Sequence, residues 1–272
     1  MALTEFQRGL CRLLAENRIR NGESYVAGGA ALNELLHAPR RSRDIDLFHD
    51  TEQALSASWR SDRELLESTG HSVLVVRERP TFVEAEVRGA GGAVIVQWAH
   101  DSAYRFFPLV RHEELGLVLH PFDLATGKVL ALVGRVEPRD FVDTLTCDRE
   151  VQPLGFLAWA ACGKDPGWSP AAILEQAARS ARYSEAELEG LDYDGEAPKA
   201  AELSQRWHSA LAAAREVTAL LPAEQAGRAV MVRDGGLFRQ EPQALREARD
   251  QGRLVYHEGS IGGAFPRILP TR

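Results

Sequence analysis

The chain has 272 residues and a mass of 30.0 kDa, with 44% hydrophobic residues, enough for a real core and for two modest domains. Its 39 acidic against 32 basic residues give a formal charge of −7 and a pI near 5.7, so no molecule-wide basic field advertises nucleic-acid binding, and any RNA contact has to be a local patch. No apolar run approaches the roughly 18 to 20 residues of a membrane span, residues 1–20 read as an amphipathic helix and not as a signal peptide, and Cys11, Cys147 and Cys162 lie far apart in no CxxC pairing. These features predict a soluble cytoplasmic protein without a membrane partner or a zinc site.

Phe6, Leu10, Leu13 and Leu14 recur at helical spacing and predict a helix over 5–20. YVAGGAALNELL starts as a short apolar strand, breaks at Gly28-Gly29 and continues with helix formers. DIDLF alternates with the period of a half-buried strand. Residues 51–69 are helical by composition; SVLVVRE (72–78), TFVEAEVR (81–88) and AVIVQWA (93–99) predict three strands, the last two joined by a hairpin-like GAGG. FDLATGKVLALVGR sets Leu124, Val129, Leu132 and Val133 on one helix face, and EPRDFVDTLTCD opens a second helix with Pro138 in its first turn. Beyond residue 150 the pattern is mainly helical (PLGFLAWAACG, SPAAILEQAARSARYS, AAELSQRWHSALAAAREVTALL), with DYDGEAPKA as a polar loop. From 228 a strand and turn, a helix and a second strand follow. The expected fold class is therefore an α/β (α+β) core over 1–150, a small mixed sheet flanked by helices, followed by a helical domain over 151–227 and a small mixed tail over 228–272, in which HEGSIGGAFPRI (257–268) is expected to pack an edge rather than to close over the active site.

Asp44 and Asp46 project from the same side of their strand because side chains alternate with period two. Two carboxylates that close raise one another's cost of ionisation, and a divalent cation relieves it. Mg²⁺ takes one or two carboxylates together with phosphate oxygens and water. A bare DxD is equally what a solvated strand face shows, but here it follows a glycine turn that opens a helix, an arrangement that lets backbone N–H groups approach a phosphate.

YVAGGAALNELLHAPRRSRDIDLF resembles the signature of minimal nucleotidyltransferases of the DNA polymerase β superfamily, in particular the AbiEii-like group of abortive-infection and toxin–antitoxin toxins. DLATGKVLALVGRVEPRDFVDTL resembles that group's later motifs, a helical lysine followed by R-D-hydrophobic-hydrophobic-D. The likeness covers roughly residues 20–148. It implies a nucleotidyltransferase core in which Gly28 and Gly29 hold the triphosphate, Asp44 and Asp46 bind Mg²⁺, Lys128 contacts nucleotide phosphates and Asp140 is an active-site acid. Arg41 and Ser42 match too, as phosphate contacts or as hydrogen bonds that fix the loop before the strand. By composition alone Lys128 reads as an exposed helix lysine, and Asp140 as a favourable charge in the first turn of its helix. Asp143, three residues on, is a neighbour of Asp140, and Arg139 is a partner for either.

The chain departs from that pattern at Gln97, which stands where a third acid is expected. Glutamine is a neutral and poorer Mg²⁺ ligand, so one ion is expected, with a second depending on a substitute such as Glu84, Glu86 or Asp101. The eight histidines show no HxxxH or HxH spacing, and neither GxSxG nor GxxxxGK[ST] occurs. The leading expectation is a metal-dependent, toxin-like transfer of an NMP from an NTP to RNA, such as a tRNA, or to a protein, with a cognate antitoxin as partner. The alternatives are a non-catalytic nucleotide-binding module, favoured by Gln97, and a nucleotidyltransferase with a small-molecule acceptor, favoured by the acidic composition.

Overall fold

The computed structural model describes residues 3–179 and 182–266; Ser180 and Ala181, within the helix expected over 169–184, and the chain from 267 onward lie outside them. The chain divides into two compact units, Met1–Ala103 with Leu109–His120 and Asp192–Glu196, and Tyr104–Pro108 with Pro121–Leu191 and Ala197–Arg272.

The first unit runs α1 (Glu5–Asn21), β1 (Ser24–Ala27), α2 (Gly28–Leu35), β2 (Asp44–His49), α3 (Glu52–Ser68), β3 (Ser72–Arg79), β4 (Phe82–Gly89) and β5 (Gly92–His100). After a two-residue strand of the other unit, β6 (Tyr104–Arg105), come β7 (Val110–His112) and β8 (Gly116–Val118). Helix α1 begins where Thr4 and Gln7 cap one another: the Thr4 hydroxyl accepts from Gln7 N at 3.2 Å and Gln7 Oε1 from Thr4 N at 2.8 Å. It ends at Gly22, whose φ of 66° needs no Cβ to be accommodated.

The strands form one mixed seven-stranded sheet in the order β3-β4-β5-β2-β1-β8-β7, with β2 parallel to β5 and β1 parallel to β8. One face carries Ile45, Leu47, Val83, Ala85, Val94, Val96 and Trp98, all buried, beneath α1 and α3. Within that core the Trp98 indole donates to Asp62 Oδ2 at 3.0 Å and Asn17 Nδ2 donates to Oδ1 at 3.2 Å, while burial pushes the Asp62 carboxyl up. His49 is fully buried at the end of β2, 3.2 Å from the Ala99 carbonyl, and desolvation pushes its imidazole down to about 4. The strands β7 and β8 were not legible: three residues each are too few to show a period.

The second unit contains α4 (Pro121–Arg135), α5 (Pro138–Glu150), α6 (Leu154–Ala161), α7 (Pro170–Arg179), α8 (Glu185–Glu189), α9 (Ala200–Leu220), β9 (Ala229–Val232), α10 (Pro242–Asp250), β10 (Leu254–His257) and β11 (Ser260–Ile261). Helix α6 is buried along its whole length, and a Cβ at its Gly155 would stand 2.7 Å from the Val217 Cβ, so glycine sets how closely α6 and α9 approach. Val230, Phe238, Leu245 and Ala248 share one core cluster with Phe156, Trp159, Val217 and Leu221. Gln152 Nε2 ties it down, donating to the carbonyls of Val230 at 2.9 Å and Phe238 at 2.7 Å. By contact, α4 and α5 group with these later helices because α4 packs on α6 and α7 and α5 packs on α6 and α9, with Phe141 against Trp207, whereas the sequence reading grouped both with the strands. Among the described residues, no helix is long and apolar enough to cross a membrane.

His49 yields a pH prediction. Its folded-state pKa lies below that of the unfolded chain, so the unfolded state alone binds a proton as pH falls from about 6.5, and stability declines until about pH 4, by roughly 3 kcal/mol in all. Asp62, shifted upward, works in the opposite direction. Urea unfolding across that range is expected to show a shallower decline for His49→Gln than for the parent, the difference isolating the histidine.

Candidate active site

Strand β2 lies between β1 and β5, the most protected place in the sheet for a functional strand. Its burial alternates: Ile45, Leu47 and His49 face the core, while Asp44, Asp46 and Phe48 project to the opposite face and are partly exposed. Register fixes what stands beside each carboxylate. Asp46 is opposite Ala27 on β1 and Gln97 on β5, and Asp44 is opposite Ile95.

The glycine turn touches this pair directly. Gly28 has φ +66°, the left-handed region, and a Cβ built on it would sit 1.7 Å from Asp46 Oδ2. Two independent constraints therefore require glycine here, one of backbone conformation and one of space. The β1–α2 turn and the Asp46 carboxylate form a single packed unit, so the spacing between the GG and DxD segments is set by a contact between them. Helix α2 starts at Gly28 with Ala27 as a cap residue that makes no side-chain hydrogen bond to the first turn, which leaves first-turn N–H groups of the kind that favour an anion.

The loop before β2 is tied down from several sides. Ser42 Oγ donates to Asp44 Oδ1 at 2.9 Å, and the Ser42 carbonyl accepts from the buried Gln7 amide at 2.8 Å. The Arg41 backbone N–H donates to the Asp192 carbonyl at 2.8 Å, Asp194 N donates to Pro39 O at 2.7 Å, and the Arg41 guanidinium pairs with Asp194 at 2.7 Å. These bonds hold the loop against α1 and the Asp192–Asp194 segment. At Gln97 the side chain Nε2 donates to Glu84 Oε2 at 2.8 Å, Glu84 being the residue opposite it on β4.

Lys128 and Asp140 lie in the second unit, on α4 and α5. Lys128 is buried, which corrects its reading as an exposed helix lysine. Its Nζ stands 2.8 Å from Asp143 Oδ2 and 3.3 Å from Asp140 Oδ1. Asp140 is fully buried, and Arg135 grips it with two donors, Nε to Oδ2 at 2.6 Å and Nη2 to Oδ1 at 2.9 Å. Arg139 donates to Glu137 at 2.6 Å. Two cations and two carboxylates balance, which is the condition under which buried charges are tolerated. The sequence reading passed over Arg135. Its position seven residues after Lys128 puts it on the same face of α4, a signal that was available.

Asp44 and Asp46 fit a hard divalent cation. Among the described residues, no group of three or more His, Cys, Asp or Glu side chains could hold a metal, so the two carboxylates would need phosphate oxygens and water to complete a shell, as Mg²⁺ accepts.

No family model matches the chain, and no curated protein matches it in sequence. Solved structures do match. MenT4, a nucleotidyltransferase toxin of Mycobacterium tuberculosis H37Rv, aligns with a TM-score of 0.53 at 16% identity, covering 80% of this chain and 83% of that one. The chain shares the fold of that structure. JHP933 from Helicobacter pylori aligns with a TM-score of 0.52 at 12% identity, covering 80% of this chain and 94% of that one. The shared fold extends over more of the chain than the 20–148 stretch that carries the sequence resemblance.

Substitutions at both sites test these contacts. Gly28→Ala is expected to lose stability by the roughly 1–2 kcal/mol of left-handed backbone strain plus a further loss from displacing Asp46; in an Asp46→Ala background, which removes the carboxylate but keeps its Cβ, the further loss should shrink, a difference read by a double-mutant cycle of urea unfolding. Lys128→Met takes the ammonium from the buried Asp143 and leaves Asp140 to Arg135 alone, and should cost about 3–5 kcal/mol, whereas Arg135→Ala, at a side chain 46% exposed, should cost less in the same assay.

Proposed function

We propose that this protein is a metal-dependent, AbiEii-like nucleotidyltransferase that moves an NMP from an NTP to an acceptor hydroxyl on RNA, such as a tRNA, or on a protein, and that it acts as a toxin restrained by a cognate antitoxin. The observation that carries the reading is the packing of a left-handed Gly28 against Asp46, on a strand face shared with Asp44, within a fold shared with a nucleotidyltransferase toxin.

Nucleotidyl transfer places the oxygen of the acceptor hydroxyl on the α-phosphorus of the NTP. The bond from that phosphorus to the bridging oxygen breaks, pyrophosphate leaves with the electron pair, and the hydroxyl proton passes to solvent or to a site carboxylate. Bound Mg²⁺ supplies charge neutralisation on the attacking and departing oxygens. Asp44 and Asp46 would hold that ion, with Asp44 oriented by the Ser42 hydroxyl. The Gly28-Gly29 turn offers backbone N–H groups to the triphosphate at the start of α2. Arg41 is a further cation for phosphate, exchanging its pairing with Asp194. Lys128 is the phosphate-contacting lysine of the reading and Asp140 its active-site acid; in their own unit the two are already paired, so Asp140 and Asp143 orient the Lys128 ammonium.

A second reading, a nucleotide-binding module without catalysis, is favoured by Gln97 in the place of a third acid. The two separate in one experiment. Purified protein and an Asp46→Ala control are incubated with Mg²⁺, each of four α-labelled NTPs and total cellular RNA. Label on RNA or on protein that disappears with Asp46→Ala is expected; Mg²⁺–NTP binding without label from any NTP selects the binding module or a small-molecule acceptor.

A further inference from the structure

Asp46, Gln97 and Glu84 form a row across β2, β5 and β4, opposite one another by register and on the same face of the sheet. Gln97 therefore stands between two carboxylates, each of which, when ionised, can only accept hydrogen bonds. Its amide nitrogen is directed to β4, where Nε2 donates to Glu84 Oε2 at 2.8 Å. The amide is planar, with oxygen and nitrogen on opposite sides of the Cγ–Cδ axis. Oε1 is thus on the side of that axis away from the Glu84 carboxylate, and β2 is the strand on the other flank of β5. An amide oxygen turned toward a carboxylate is repelled by it unless a cation or a donor lies between them. Hard cations accept amide oxygens as well as carboxylates.

We infer that Glu84 is a positioning residue for Gln97: it holds the amide with its oxygen on the Asp46 side, so that the third oxygen of the site is neutral and the protein by itself binds a single divalent ion. The inference rests on the nucleotidyltransferase reading and adds to it a residue on β4 and a metal stoichiometry. Charge supports the stoichiometry. Asp44 and Asp46 balance one divalent cation, and the remaining carboxylate of the row stands one strand farther out, already engaged with the amide. Without Glu84, Gln97 is able to turn its NH₂ toward Asp46 and so remove its oxygen from the site, which is the way a partner behind a ligand tunes the affinity for a metal.

The test is a titration of the full chain with Mn²⁺ alone, free Mn²⁺ being read by electron paramagnetic resonance, with unfolding temperatures as a control for folding. The parent is expected to bind one Mn²⁺ per chain, and Glu84→Ala and Glu84→Gln to weaken that binding by about 10-fold without changing the stoichiometry. The double variant Gln97→Glu/Glu84→Gln keeps a donor and carboxylate facing each other in reversed order and puts a charge beside Asp46. It should bind Mn²⁺ more tightly than the parent. Asp46-dependent Mn²⁺ binding that neither variant at 84 alters overturns this inference and leaves the nucleotidyltransferase reading standing. Mn²⁺ binding that Asp46→Ala leaves unchanged overturns both.

Discussion

The close approach of Gly28 to the Asp46 carboxylate is the constraint on which the first unit's functional face depends. A side chain at position 28 would collide with Asp46, and a left-handed backbone there favours glycine independently. With glycine in place, β1 can turn directly into α2 while lying beside β2 in register, Ala27 opposite Asp46. The turn, the helix start and the carboxylate are brought into one small region by strand pairing, and none of them could be moved by a residue without disturbing the others.

The rest of the first unit serves to hold that register. The carboxylates sit on a strand paired on both sides, and the buried row Ile45, Leu47 and Trp98 packs beneath α1 and α3, so a one-residue slip would send two aspartates into an apolar core. The Asp62–Trp98–Asn17 cluster anchors the underside. The loop entering β2 is held by the Gln7 amide on the Ser42 carbonyl and by the Asp192–Asp194 segment alongside residues 39–41. A ligand set held by neighbours that are themselves fixed is what accurate positioning of a metal or phosphate requires.

The charges of the second unit obey a different rule. Lys128, Asp140, Asp143 and Arg135 form a balanced cluster across α4 and α5, and burial makes every member dependent on its partners. Such a cluster stabilises the α4–α5 contact only while complete, and it fixes the direction of the Lys128 ammonium more firmly than a solvated lysine could be fixed. The family resemblance singled out the lysine and both aspartates. Arg135, the member that neutralises Asp140 from the half-exposed side, was passed over because attention to a motif ending at Asp143 does not look back along the helix face.

The sequence determined the order and type of most elements, because long runs with period 2 or 3.6 read themselves: α1, β2 to β5, α4, α5 and α9 all lie close to where the pattern set them. It also determined which face of β2 carries Asp44 and Asp46, since alternation needs no tertiary information. What it could not determine were the contacts between segments distant in the chain. That Gly28 lies against Asp46, that Glu84 stands opposite Gln97 on the open face, and that Asp192–Glu196 returns to the loop before β2 depend on strand order and register. Those are set by long-range packing, and no local spacing encodes them. Strands of two or three residues, such as β6 to β8 and β11, exist because the sheet or a partner strand receives them, and only the tertiary structure decides that.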